Sequence, residues 1–378
     1  MFTVDTLAGY TYSGNVSMQS PAKVVIPTDF MVANGSSSQR QKGIHVKAEK
    51  NKTVAVFGLN HNGDTTDGYL ALPCNQLPVM QYEYYAVTYS SSKDYGNPFV
   101  LLVGCENSTA ITTVVSNLTL NRLETYLIFI SGTGARIVSD KPIAFFSGHQ
   151  CAFVISHCGH LIEQLPPTST WGTVFLGTTG LSRIPTSAFY RVCAAYDETT
   201  ITVTCTLADT NPATFTISTG GMYQDLKIGK YSPTNASCVM EASKPVLVME
   251  FQSVLFSDTW KTFMSLLPPM DQYNNHYSLP YFGFYYSNYV AISVLPQYFD
   301  KKKIFIDDSI VSTQWIFVKC SNGTVCGYTT TLELQPAGHF VQHIDKDAKI
   351  GAIIYGYGTW DAYGCPAGFH IGPFNQGK

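Results

Sequence analysis

Two thiols and three imidazoles crowd into one short run, His149, Cys151, His157, Cys158 and His160. Such a set could hold a zinc ion or close a disulfide loop. Zinc sites draw on Cys-x-x-Cys and comparable His spacings, and the chain has no Cys-x-x-Cys. The disulfide reading is therefore preferred: Cys151 pairs with Cys158, and the histidines bond to nearby backbone. No metal and no cofactor is expected. Carboxylates offer a second chemistry. Glu163 and Glu250 stand near corresponding positions of adjacent sequence copies and are the best pair for a glycosidase-type acid and base. Asp197 and Glu198 fall at a turn, where acidic residues serve turn geometry. Asp64 and Asp67, in Asp-Thr-Thr-Asp, fall short of the six to eight oxygens that calcium prefers. Ser156 beside His157 is mere adjacency, since no Gly-x-Ser-x-Gly elbow exists. Neither a dinucleotide fingerprint nor a phosphate loop is present. No catalytic residue is expected.

The ten cysteines are an even number. Three pairs look local: Cys151 with Cys158, Cys193 with Cys205 across one expected hairpin, and Cys320 with Cys326 around Ser321-Asn322-Gly323. Cys74, Cys105, Cys238 and Cys365 remain, in any of three pairings. Seven Asn-x-Ser/Thr sequons occur, at Asn15, Asn34, Asn51, Asn107, Asn117, Asn235 and Asn322. Chance in a Ser/Thr-rich chain gives about three. Sequons and cysteines together point to a secretory route and an extracellular, glycosylated protein. The opening residues, Met1-Phe-Thr-Val-Asp, carry no basic or apolar leader, so no signal peptide is expected within the chain.

These residues are positioned by a repeat. Lys52 opens KTVAVFG, Lys141 opens KPIAFFSG, Lys244 opens KPVLVMEF and Lys349 opens KIGAIIYG. About 25 residues after the first three come Leu77-Pro78, Leu165-Pro166 and Leu267-Pro268. An aromatic follows, Tyr82, Trp171 or Tyr273. A further strand then starts at Phe99, Phe189 or Tyr289. The fourth copy stops at Tyr363–Gly368. Each copy consists of short runs rich in Val, Ile, Thr, Tyr and Phe, bounded by Gly, Asn, Asp or Pro, the signature of strands. No segment carries a capped 3.6-residue apolar period. Asp300–Lys303 marks a solvated turn. In Tyr281–Tyr286, strand alternation would bury about half of the aromatics.

The expected fold is all-β, with internally repeated antiparallel sheets. The favoured architecture is a closed, propeller-like ring of about seven half-units of roughly 50 residues each. Three tandem β-sandwiches are the alternative. The expected divisions are 1–43, a segment closing the array; 44–116, 117–212 and 213–328, three repeats; and 329–378, a partial fourth. Charged residues make up only 13% of the 378, about half the usual share. A net charge of −3 leaves no footprint for nucleic acid, and no apolar run approaches the length of a membrane span.

The run GHQCAFVISHCGHLIEQLPPTSTWG, the following FYRVCAAYDETTITV and the closing YGCPAG resemble the IgGFc-binding protein N-terminal domain family, over roughly residues 40–368. That family usually has an acidic residue where Gly159 stands. The resemblance implies a secreted, mucus- or matrix-associated module that adheres to a protein or a glycan, or serves as a scaffold, without enzymatic activity. It does not carry Fc binding to particular residues. A structural subunit of an extracellular assembly, with self-association, and a carbohydrate-active enzyme are the competing readings.

Overall fold

The computed structural model describes residues 1–17, 20–30, 39–62, 65–74, 82–155, 157–178, 186–206, 212–230, 236–256, 259–283, 287–358 and 361–371. Among them the chain is built of antiparallel strands, with only three-residue 3-10 turns as helix.

Each Lys-led segment becomes a β-hairpin. The outgoing strands are Phe57–Asn62, Ile143–Phe153, Ser237–Phe256 and Ile350–Tyr357. Their return strands are Thr65–Leu70, Cys158–Leu165, Thr259–Leu267 and Ala362–Pro366. In the first hairpin Asp67, weighed above as a calcium ligand, lies on the return strand and is fully buried.

Counted by the outgoing strand it contains, each unit draws its earlier strands from the sequence division before it, so the fourth unit is complete; each complete unit has an inner and an outer sheet, and the chain alternates between them. The inner sheet runs, in the second copy, Thr125–Phe129, Tyr95–Gly104, outgoing strand, return strand. The third copy repeats this order with Tyr223–Lys230 and Thr186–Ala194, and the fourth with Val325–Leu334 and Ser287–Val294. The outer sheet of the second copy runs Asn117–Leu120, Thr109–Thr112, Arg136–Ser139, Tyr82–Tyr85. The fourth copy repeats that order with Ser309–Ile310, Ile304–Ile306, His339–His343 and His276–Leu279. In the third, Ser237–Phe256 is long enough to serve both sheets, pairing Gly172–Thr178 and Thr199–Cys205 with its first part and Thr186–Ala194 with its second. A closed propeller ring is not shown. The recurring object is a unit of antiparallel sheets.

The recurring anchors have physical roles at the crossings between sheets. Lys141 Nζ donates to the Asn107 carbonyl at 2.7 Å, Lys244 to Asp197 at 2.6 Å and Lys349 to Asp271 at 2.8 Å. Each ammonium thus holds a loop carbonyl beside the point where the chain enters the inner sheet. After the return strands, Pro166-Pro167 and Pro268-Pro269 end the ladder, because proline has no N–H to donate. The 3-10 turns Thr168–Thr170 and Met270–Gln272 follow. Trp171 Nε1 donates back to the Pro166 carbonyl at 3.1 Å. In the first copy the Leu-Pro beside the return strand is Leu72-Pro73, whose Leu72 amide donates to Gln164 Oε1 at 2.9 Å; Leu77-Pro78 lies outside the described residues.

The sulfur bridges are Cys74–Cys105, Cys151–Cys158, Cys205–Cys238 and Cys320–Cys326. The expected Cys193–Cys205 pair is not formed. Those cysteines were placed on the arms of one hairpin, but their strands do not pair. Cys193 stands opposite Leu247 in the inner sheet, and Cys205 stands opposite Cys238 in the outer one. Cys193 and Cys365 are free and buried.

Candidate functional site

The four return strands converge. Thr65–Leu70 packs on Cys158–Leu165, that strand on Thr259–Leu267, that one on Ala362–Pro366, and the last returns to the first. Asp67 sits where they meet. Its Oδ1 accepts the Gly68 amide at 2.8 Å and faces the Gly364 amide at 3.5 Å. Its Oδ2 accepts the Ile162 amide at 3.1 Å and the Met264 amide at 3.3 Å. One carboxyl group thereby touches all four hairpins. Burial pushes its pKa well up, against the pull of the Ile162, Gly68 and Met264 amides.

Other ionisable groups surround it. Glu163 is fully buried, and its Oε1 accepts the Leu266 amide at 3.0 Å. Burial raises its pKa well above the ordinary value, the Leu266 amide opposes, and Asp67 adds to the rise. Asp361 is pushed up to about 8 by burial, with the Ala362 amide and the Thr66 hydroxyl opposing. The Cys365 thiol is raised by burial and by Glu163 and Asp67. Lys261 is lowered by burial and partly restored by Asp361. This is a clasp of buried polar groups rather than an open acid–base pair.

Glu250 is elsewhere. Its strand position faces Ser265, whereas Glu163 faces Ser147, so the two glutamates lie on opposite arms of their hairpins and do not correspond. Glu250 borders a cavity with Thr178, Tyr273 and Ser293, where about 10 Å³ is open to water, room for one molecule at most. Burial alone raises it to about 8.

At the Cys151–Cys158 loop, the Cys151 amide donates to His149 Nδ1 at 3.0 Å, and His149 Nε2 faces Asp94 Oδ2 at 3.3 Å. Asp94 in turn accepts the Ser91 and Phe153 amides. Burial lowers the His149 pKa, and Asp94 opposes. His160 is lowered to about 4 by burial, against the Gln150 and His149 backbone; its ring lies over Phe99 at 6.1 Å and meets Asn60 Nδ2 at 3.3 Å. A neutral, half-buried imidazole of this kind supports the loop. His157 is exposed, and Ser156 lies outside the described residues. Asp197 holds its turn by accepting the Gly220 amide at 2.8 Å, with Glu198 at φ 51°.

Two features of the structure are not legible in the sequence. One is the central role of Asp67. The other is an open cleft of about 480 Å³, lined by Asn275, His276, Phe305, Asp308, Gln342 and Lys346 among others. Aligning Leu72-Pro73 rather than Leu77-Pro78 with the later copies would have put Asp67 on a return strand.

A family described as IgGFc binding protein matches residues 67–356. The IgGFc-binding protein of Homo sapiens is 27% identical over 141 residues, which cover 32% of this chain and 3% of that protein. The chain therefore spans a small fraction of that relative's length.

Proposed function

Because this chain belongs to the IgGFc-binding protein family, we propose that it is a secreted, non-enzymatic adhesive module of mucus or matrix type. Its partner is an extracellular protein or glycan, met on the surface rather than in a reactive cleft. The family match over residues 67–356 carries this reading. Four disulfides support an oxidising compartment, since such bridges persist mainly outside the cytosol. Asn15, Asn51, Asn107, Asn117 and Asn322 are exposed, as glycan attachment requires; Asn34 and Asn235 lie outside the described residues. Among the described residues no helix is long and apolar enough to cross a membrane.

The buried state of Asp67, Glu163 and Glu250 supports the non-catalytic reading, because an acid and a base must reach a substrate. The cleft beside Phe305 offers an aromatic face with amide and carboxylate groups, a combination suited to a saccharide or a polar peptide. The human relative is named for binding IgG Fc, so Fc is one partner to test. The immobilised chain is offered native secretion, purified Fc and a glycan array. Saturable capture of a protein or glycan is the expected result. Glycoside turnover that Glu163→Gln or Glu250→Gln abolishes would replace this reading with the enzymatic one.

A further inference from the structure

The cleft of the fourth unit lies on the outward face of its outer sheet. His276, Gln342 and Phe305 stand opposite one another on three adjacent strands. Side chains in one cross-strand row project from the same face. Their chain neighbours Tyr277, Val341 and Ile304 are buried in the core, so the row points away from it. His276 is exposed, and Gln342 and Phe305 are half-buried in the floor of the cleft.

The walls are held by specific bonds. On one side Asp307, at φ 53°, turns the chain. Its Oδ2 accepts from His339 Nδ1 at 2.8 Å and its Oδ1 from the Phe340 amide at 3.1 Å. That turn presents the exposed carboxylate of Asp308. On the other side the buried His343 ring donates from Nε2 to the Tyr298 carbonyl at 2.9 Å and accepts the Asp345 amide at Nδ1 at 3.0 Å. The Ile344 amide donates to the Lys303 carbonyl at 2.9 Å. These bonds fix the loop that presents Lys346, also exposed. His276 Nδ1 donates to Asn275 Oδ1 at 2.8 Å, which makes Nε2 the acceptor of the neutral ring and keeps the Asn275 amide hydrogens as donors.

Donors and acceptors thus surround one aromatic face. A pyranose matches both, because each hydroxyl donates and accepts and the C–H face of the ring can lie on an aromatic one. Charge favours a neutral sugar, since Asp308 and Lys346 oppose each other in sign and Asp307 is bonded to His339. A peptide fits less well. The central strand His339–His343 is paired on both sides, so the floor offers no backbone ladder for peptide amides and carbonyls. The volume of about 480 Å³ falls among small-ligand pockets of about 300–1,000 Å³.

We propose that this cleft binds a neutral pyranose at the end of a glycan, stacked on Phe305 and hydrogen-bonded to His276, Gln342, Asn275, Asp308 and Lys346. The inference rests on the surface-binding reading above and names the site and ligand of its glycan arm.

The test titrates the intact chain with the methyl glycosides of galactose, mannose, fucose and N-acetylglucosamine. The methyl glycoside of N-acetylneuraminic acid and a capped Ser-Asn-Gly-Thr peptide are offered in parallel. Binding is followed by saturation-transfer NMR. Saturable binding of at least one neutral glycoside is expected, with a dissociation constant about millimolar for so small a ligand and strongest saturation at its ring C–H protons. Phe305→Ala should weaken it by about ten-fold or more. Because Phe305 is half-buried, the exposed positions supply a second reading. Asp308→Ala and Lys346→Ala should each weaken binding by about five-fold or more, with the thermal midpoint unchanged. No saturable binding of any neutral glycoside, tighter binding of the neuraminic acid glycoside or the peptide, or binding that all three variants leave intact would each overturn the proposal. Protein capture that persists when no sugar binds overturns the cleft alone and leaves the surface-binding reading standing.

Discussion

Replacing Glu250 by Gln isolates one buried carboxyl. Burial raises its pKa from 4.5 to about 8, so in the folded chain it keeps its proton through the range in which the unfolded chain has lost it. The sign follows directly. Below about pH 4.5 both states are protonated and the group costs little. Between about 4.5 and 8 the folded state binds more protons than the unfolded one, so stability falls as pH rises; above about 8 the loss is complete. A rise of this size, at about 1.4 kcal/mol per pKa unit, sets a ceiling of about 5 kcal/mol. A single water entering the adjoining cavity would solvate the carboxylate and lower that ceiling. Glutamine matches the protonated shape and cannot ionise. Glu250→Gln should thus leave stability within about 1 kcal/mol at pH 4.5 and raise it relative to the parent by about 2–5 kcal/mol at pH 9. Urea unfolding of both proteins at the two pH values, read from midpoints with a shared slope, measures the difference. Asp67, Glu163 and Asp361 titrate equally in both chains and cancel. A difference that does not change with pH, or a variant equally weakened at both, would refute the reasoning.

Asp67→Asn turns an amide donor toward backbone N–H groups that now find an acceptor; two unsatisfied donors should cost about 2–4 kcal/mol, seen as a lower urea midpoint. Cys205→Ser opens the bridge to Cys238, 33 residues away, and should cost about 3–4 kcal/mol; peptide mapping without reduction should find Cys193 and Cys365 unlinked. Arg191 holds Asp225 through two 2.8 Å bonds and lies 4.0 Å over the Tyr223 ring. Lysine cannot reproduce that fork and stack, so Arg191→Lys should lower stability by about 1–3 kcal/mol in thermal or urea unfolding.

The strand content was legible because Val, Ile, Tyr and Phe recur in short runs between turn residues, and Lys141, Lys244 and Lys349 mark their outgoing strands, whereas the strand after Lys52 begins only at Phe57. What was not legible was the alternation between sheets. FYRVCAAY and TTITVTC read as one hairpin because a turn separates them. Nothing local says that the chain leaves the inner sheet at Ala194 and joins the outer one at Thr199. The Cys193 misassignment follows from that single crossing. Glu163 and Glu250 looked equivalent for a similar reason. Each follows its Lys anchor within one copy, but their distances along the hairpin differ, and pairing with Ser147 and Ser265 is set by register. Asp67 was hidden because Thr-Thr-Asp-Gly has turn composition, and only distant backbone amides make it a strand residue.

The amides that hold Asp67 come from residues 95, 197 and 297 positions further along the chain. In a solenoid each repeat rests on its neighbours, so copies can be gained or lost with little consequence. This molecule cannot grow or shrink that way. Deleting any one copy removes a donor from the middle and opens a gap between the remaining hairpins. Assembly must also wait for the last hairpin before the first is secured, and such distant closures slow folding. Changes in the loops therefore disturb this centre less than the loss of any of the four hairpins that meet at Asp67.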